Sequence, residues 1–255
     1  MIDIHTHILP DMDDGARSEA ESLLMLQAAV QNGIGTIVAT PHFSQRYVSK
    51  KPDVLVKTDR LQQLVLENGL DLQILPGQEV RIYDELITDY NLGKIMTLAN
   101  SRYMLIEFPA NQIPSCAERI FYELEVMGIK PIIAHPERHL VFLEDPEKLY
   151  SFVRRGALAQ LTTSSILGFF GKNVQKFSHQ LIDANLIHVV ASDTHNLHKR
   201  PFNLSEAYEK IFQKHGIEQV DYLGNNAYSI VMDETIYPKE PILISRKKGL
   251  GIFKR

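Results

Sequence analysis

The sequence predicts one α/β domain whose parallel strands close into a barrel. Short apolar runs alternate with amphipathic ones along the whole chain. The apolar runs read as strands buried on both faces, as in a parallel sheet covered by helices. About seven such units fit one chain of this size, which favours closure into a barrel over an open sheet.

The elements follow in order. Residues 2–5 form a short apolar start. A helix is expected over 18–31, with Ser18 as N-cap, Glu21 at its N3 position and Gly33 just past its end. The segment 35–40 (GTIVAT) reads as a buried strand, 54–67 as an amphipathic helix, and 72–75 as a strand ending before Pro76-Gly77. Strands are then expected over 103–107, 131–134, 157–161 and 186–191, separated by helices over 115–127, 146–155, 172–185 and 204–214. Residues 1–237 are assigned to the barrel and 238–255 to a Pro-containing basic tail.

With 255 residues and 44% hydrophobic content, the chain can bury a large core. Cys116 is the single cysteine, which excludes an internal disulfide framework or thiolate metal site and fits a reducing cytoplasm. No secretory leader and no run of about 18 apolar residues is expected. Net charge is −4, but five of the 27 basic residues lie within 246–255, leaving 22 against 31 acids in the body. Such an acidic body does not suit a protein that grips nucleic acid along its length.

Imidazoles and carboxylates recur where strands end. His5 and His7 are two apart, so they project from one face of a strand, and Asp193 and His195 repeat that spacing near the far end. Closure of a barrel would bring the two pairs together. His42, Glu79, Glu107 and His135 each follow or end an apolar run, and in a barrel those C-terminal ends form the face that carries the active site. Asp14 joins them through Asp13-Asp14-Gly15, although Asp-Gly is also a plain turn signal.

Imidazole and carboxylate without thiolate suit manganese, zinc or iron, and clustered ions activate water and clamp phosphoryl oxygens. Phosphoester hydrolysis is therefore the expected reaction class. A cysteine-based route is excluded because position 122, where Cys116 would need a phosphate-binding Arg, is Tyr. No glycine-rich phosphate loop or dinucleotide fingerprint is present.

Six segments carry a specific resemblance: His5-Thr6-His7-Ile8-Leu9-Pro10, Met12-Asp13-Asp14-Gly15-Ala16, Ala39-Thr40-Pro41-His42, Pro76-Gly77-Gln78-Glu79, Ala134-His135-Pro136-Glu137-Arg138 and Ser192-Asp193-Thr194-His195. In this order they resemble the polymerase and histidinol phosphatase (PHP) superfamily. More narrowly, they resemble its manganese-dependent protein-tyrosine phosphatases from bacterial capsule and exopolysaccharide systems. The resemblance implies a distorted (β/α)7 TIM-like barrel, the PHP fold, and three Mn2+ ions, although spacing alone would equally allow Zn or Fe. It places His5, His7, Glu79 and Asp193 around one ion, Glu79, Glu107 and His135 around a second, and Asp14, His42 and His195 around a third.

Arg138 and Arg200 are expected on the substrate phosphate, since a guanidinium fork matches phosphate oxygens in two-point geometry. Attack by a metal-bound hydroxide is expected, with phenolate leaving and His42 or Asp193 available to assist. Phe43, Tyr47, Phe108, Phe169 and Phe170 are candidates for an aromatic rim, core packing being expected for at least half of them. His188 reads as a hydrogen-bonded core residue, and His139, His179, His198 and His215 as surface or supporting groups.

The implied partner is a phosphotyrosine-bearing bacterial tyrosine kinase that controls capsule or exopolysaccharide synthesis. Arg246, Lys247, Lys248, Lys254 and Arg255, interleaved with Leu250, Ile252 and Phe253, would suit peripheral contact with an anionic membrane from the cytoplasmic side. A small-molecule phosphatase acting on a substrate like histidinol phosphate, or a non-catalytic metal-containing scaffold that binds the kinase, would use the same residues.

Overall fold

Two strands of the barrel are each broken in two, and the breaks put ligand-type residues at the pocket. In the computed structural model, which describes residues 1–244, the first half of the chain runs β1 (Ile2–Thr6), α1 (Glu19–Gln31), β2 (Thr36–Ala39), β3 (His42–Phe43), α2 (Lys51–Glu67), β4 (Gln73–Pro76), β5 (Glu79–Arg81) and α3 (Leu86–Asn91). It continues through β6 (Tyr103–Glu107), α4 (Ala117–Val126), β7 (Lys130–Ala134), α5 (Leu140–Glu144), α6 (Pro146–Arg154) and β8 (Leu158–Thr162). The last part is α7 (Thr163–Leu167), α8 (Lys172–Asp183), β9 (Val189–Ala191), α9 (Leu204–His215) and α10 (Ile217–Val231).

All the strand pairs are parallel. β2 pairs with β4 and β3 with β5, so β2/β3 and β4/β5 are single strands interrupted at Thr40-Pro41 and at Gly77-Gln78. A side chain at Gly77 would come within 2.8 Å of Val38 Cγ1, so only glycine fits that break. The strands then occupy seven positions, β1, β2/β3, β4/β5, β6, β7, β8 and β9. Closure comes from the segment after β9: His7 N donates to Thr194 O at 2.8 Å and Asp193 N to His5 O at 2.9 Å. The expected seven-unit α/β barrel is the fold observed.

The interior is packed by Ile4, Val38, Leu105, Ile132, Leu158 and Val189, and α10 seals the bottom with Ala227 and Ile230. Alternate residues such as Ile37, Ile106, Ile133 and Val190 face the helices. Truncating Ile132 or Ile230 to Ala removes about 2–5 kcal/mol, because neighbours on a closed barrel cannot collapse into the void.

Counting in twos from the interior residues reaches the pocket. Leu105 leads to Glu107, Val189 to Asp193, Val38 to His42 and Leu75 to Glu79. His5 lies one residue from Ile4 and breaks this count. A register shift between Asp3 and Thr6 places two residues of β1 against one of β2, so Ile4 and His5 both turn inward.

The α1 cap is as expected: Ser18 Oγ accepts from Glu21 N at 3.2 Å, while Glu21 Oε2 reaches back to Arg17 N rather than to Ser18 N. α2 begins at Lys51, earlier than position 54, because Pro52 fits the first helical turn. The helices α3, α5, α7 and α10 add to those expected. Residues 238–244 rest on the barrel, with Ile242 N donating to Ala184 O at 2.8 Å and Asn185 Nδ2 to Glu240 O at 2.9 Å. The basic cluster from Arg246 to Arg255 lies outside the described residues. Among those described, no helix is long and apolar enough to cross a membrane.

Candidate metal centre

All nine ligand-type residues meet at the C-terminal face of the barrel. His5 Nε2 and His7 Nε2 lie 3.1 Å apart. Glu79 Oε2 is 3.2 Å from the first and 3.4 Å from the second, and Asp193 Oδ1 is 3.4 and 3.5 Å from them. Ligand atoms around one ion at about 2.1 Å sit roughly 3.0–3.4 Å apart. The His5, His7 and Asp193 atoms therefore form a cluster of the right size for a cation, with Glu79 Oε2 within the same reach of both imidazoles.

Glu79 joins this cluster to its neighbours. His42 Nδ1 is 2.9 Å from Glu79 Oε2 and 3.8 Å from Glu107 Oε2. His135 Nε2 is 2.9 Å from Glu79 Oε1 and 4.0 Å from Glu107 Oε1. On the other side, Asp14 Oδ1 is 3.5 Å from His42 Nε2 and 3.4 Å from His195 Nε2. The residues do not divide into separate sets: His7 belongs with His5 and Asp193 and also with Asp14, His42 and His195, while His42 belongs also with Glu79 and Glu107.

The donor set fits metal ions on three counts. Buried Glu79 Oε2, Asp193 Oδ1 and His195 Nε2 make no hydrogen bond among the described residues, which costs free energy unless another charge satisfies them. Burial and the charge of Glu79 push Glu107 up to about 7, a carboxylate repulsion that a cation relieves. Burial, with the nearby Arg138 charge, pushes His135 down to about 4, and burial, with the His7 charge, does the same to His195. Both rings are then neutral near pH 7, the form that coordinates.

Supporting groups fix which nitrogen faces the centre. His7 Nδ1 donates to Asp13 Oδ2 at 2.7 Å, and His5 Nδ1 donates to Gln160 Oε1 at 3.0 Å. His195 Nδ1 donates to Asp193 O at 3.0 Å. Each bond leaves Nε2 free toward the cluster. Burial opposes ionisation of Asp13, yet the charge and hydrogen bond of His7 hold it at about 2. The sequence reading missed Asp13 and Gln160. The signal for Gln160 was a lone amide inside the apolar run 157–161.

Asp13-Asp14-Gly15 is both a turn and a site element. Asp13 Oδ1 accepts from Gly15 N at 2.9 Å, and a Cβ on Gly15 would lie 2.0 Å from His7 O. The turn is thus pressed against the residue whose ring Asp13 orients.

Asp193 and His195 do not share a strand face as expected. β9 ends at Ala191, and Asp193 has φ +55°, in the left-handed region. His135 is similar at φ +36°. Asp and His tolerate this region better than most residues, and there it aims both side chains at the cluster. His42 and Glu79 follow the ends of β2 and β4 as expected, and each also opens the short strand beyond the break, β3 and β5.

Arg138 and Arg200 each donate from Nη2 to Asp193 Oδ2 at 2.5 Å. Burial opposes ionisation of Asp193, but Arg138, His5 and Arg200 hold its carboxyl well below the usual range. Both arginines line a cavity of about 400 Å³ that also exposes Asp14, His42, Glu107 and His135. Of the aromatic candidates, Phe43 and Phe108 are buried in the core. Tyr47 stacks on His42 at 5.8 Å, and the Phe170 ring lies 5.0 Å from the Arg138 guanidinium carbon. Phe169 is exposed.

His188 is a core residue, as expected: its backbone N donates to Ala159 O and its Nδ1 accepts from Ala159 N. His139 and His179 are buried rather than at the surface, and His179 Nδ1 lies 2.8 Å from His215 Nε2. Cys116 is buried.

A family profile described as capsular polysaccharide synthesis, CpsB/CapC, matches residues 1–232. Tyrosine-protein phosphatase YwqE of Bacillus subtilis is 42% identical, covering 99% of this chain and 100% of that protein. Tyrosine-protein phosphatase CpsB of Streptococcus agalactiae is 32% identical, covering 92% of this chain and 100% of its own. A solved chain from the structures of YwqE of Bacillus subtilis and CpsB of Streptococcus pneumoniae, described as metal-dependent tyrosine phosphatases, superposes with TM-score 0.94 at 42% identity, covering 96% of this chain and 100% of that one. Organophosphorus hydrolase of Deinococcus radiodurans superposes with TM-score 0.53 at 15% identity, covering 89% of this chain and 91% of its own, which is a likeness of fold alone.

Proposed function

The chain belongs to the CpsB/CapC family of capsular polysaccharide synthesis, and from that membership and the site geometry we infer that it is a metal-dependent tyrosine-protein phosphatase. The observation that carries this reading is the cluster of buried His5, His7 and Asp193 atoms, joined by Glu79, directly behind a cavity lined by Glu79, Asp193, Arg138 and Arg200.

We assign the metal centre to His5, His7, Asp14, His42, Glu79, Glu107, His135, Asp193 and His195, with Glu79 shared between ions. Three Mn2+ ions match this number of donors; zinc or iron would satisfy the same atoms. When bound, such ions lower the pKa of a coordinated water toward neutrality and balance charge on phosphoryl oxygens. The protein's own groups do the rest. Asp13 and Gln160 hold His7 and His5 with Nε2 inward, and Asp193 Oδ2 orients Arg138 and Arg200 at the cavity wall. From there the guanidinium groups can bind phosphate oxygens as charge grows in the transition state.

Tyrosine leaves as a phenolate of pKa near 10, so a strong general acid is dispensable. Of the two groups considered for proton transfer, Asp193 is held ionised, whereas His42 reaches the cavity and is assigned above to the metal centre. The physiological substrate we propose is phosphotyrosine on a bacterial tyrosine kinase of the capsule or exopolysaccharide system. Rates on a phosphotyrosine peptide and on histidinol phosphate, measured side by side with manganese, test the reading. Preference for the peptide supports it, and preference for histidinol phosphate would transfer the site to a small-molecule phosphatase.

A further inference from the structure

A second cavity of about 610 Å³ adjoins the metal-side cavity of about 400 Å³, and Ser44, Arg46 and Arg81 line both. Beyond this shared wall its lining is mainly apolar, with Phe43, Val48, Ile82, Tyr83, Pro109 and Pro114, while Gln45, Glu85 and Gln112 complete it. A free phosphotyrosine on the metal face would leave this larger space unused.

One wall is fixed before any ligand arrives. Phe43 pairs with Val48 in an antiparallel bridge, and Ser44 N donates to Tyr47 O at 2.7 Å. On the same side, the Tyr83 ring packs 6.1 Å from that of Phe43, and its hydroxyl donates to Asp89 Oδ2 at 2.8 Å. Arg81 is tied to Glu107 at 2.8 Å, so the boundary between the cavities is itself anchored to the site. A preformed apolar cleft of this size suits a ligand segment that pays little ordering entropy on its own side.

We propose that this groove is a substrate subsite that seats an apolar side chain next to the phosphotyrosine of an extended polypeptide. The proposal rests on the phosphatase reading above and names what that site selects. An extended chain advances about 3.3 Å per residue, so a residue one or two positions from the phosphotyrosine lies over the groove once the phosphate is on the metal face. Its side chain then enters among Phe43, Tyr83, Pro109 and Pro114, while the phosphorylated residue stays beyond Arg46 and Arg81.

The test is a set of phosphotyrosine peptides with glycine flanks in which leucine is placed in turn at each of the two positions on either side, with p-nitrophenyl phosphate as the substrate that has no flank. One leucine position is expected to raise kcat/KM about tenfold through KM. Val48→Glu, at a residue 57% exposed, and Gln112→Glu, on the opposite rim, put a charge into the groove and are each expected to bring the leucine-to-glycine ratio toward one. Two variants on different walls guard against misfolding in either. Equal kcat/KM for all the peptides, or a leucine preference untouched by both variants, would overturn the subsite while leaving the phosphatase reading intact. No hydrolysis of any peptide or of p-nitrophenyl phosphate by the metal-loaded protein would remove both.

Discussion

Asp13 Oδ2 accepts the His7 Nδ1 proton at 2.7 Å and thereby turns His7 Nε2 toward Glu79 and Asp193. Partners of this kind typically contribute 10–100-fold to metal affinity. Asp13→Ala is therefore expected to weaken metal binding by roughly that factor. Metal titration of the chelated protein measures it, and an unchanged affinity would show that Asp13 only shapes the turn.

Arg138 and Arg200 share one acceptor, Asp193 Oδ2. Lysine keeps the charge but loses the fork, so Arg138→Lys and Arg200→Lys are each expected to lower kcat/KM on a phosphotyrosine peptide by roughly 10–100-fold. Groups that share a partner are not independent, so the double variant should depart from the product of the single effects. Steady-state kinetics on the four proteins reads this directly.

His188 ties stability to pH. Its ring is buried, and burial pushes its pKa from 6.5 down to about 4. The unfolded chain therefore takes up this proton first as pH falls, and the folded state loses up to ~3 kcal/mol between pH 6.5 and about 4. Above pH 6.5 the group has no effect. His188→Gln is expected to flatten this part of the profile, as measured by urea unfolding at steps from pH 7 to 4.5. Taking the difference between the two proteins cancels Asp3, whose burial raises its carboxyl to about 6 and which works in the opposite direction.

Gly15 has no room for a side chain against His7 O, whereas a Cβ on Gly35 would meet nothing within 4 Å. Gly15→Ala should displace His7, lowering both the melting temperature and metal content. Gly35→Ala should change stability by about 0.5 kcal/mol or less. Calorimetry with elemental analysis separates the two, and equal tolerance at both positions would contradict the packing described.

Much of the site was legible because barrel strands keep a period of two. Glu107 lies two residues after Leu105 and Asp193 four after Val189, so a buried apolar run ending in a ligand-type residue already points to the pocket. The resemblance supplied the grouping of ligands around ions, whereas the alternating runs alone already pointed to about seven units. What stayed hidden depended on local departures from that period. The register shift in β1 turns Ile4 and His5 to the same side, and left-handed backbone at His135 aims a side chain that simple alternation would not. Neither leaves a mark in residue type. Asp13 was masked because Asp-Gly reads first as a turn. The apolar positions of α10, Val220, Leu223, Ala227 and Ile230, have helical spacing, but that helix follows α9 with only Gly216 between them.

The central claim is that these nine residues form a metal centre on which phosphotyrosine hydrolysis depends. Elemental analysis of the purified protein, paired with turnover of a phosphotyrosine peptide before chelation, after it and after manganese is restored, tests this most directly. About three ions per chain, loss of turnover on chelation and its recovery with manganese are expected, with Glu79→Ala deficient in both metal and turnover. Full turnover by the metal-free protein, or by Glu79→Ala, would contradict the account.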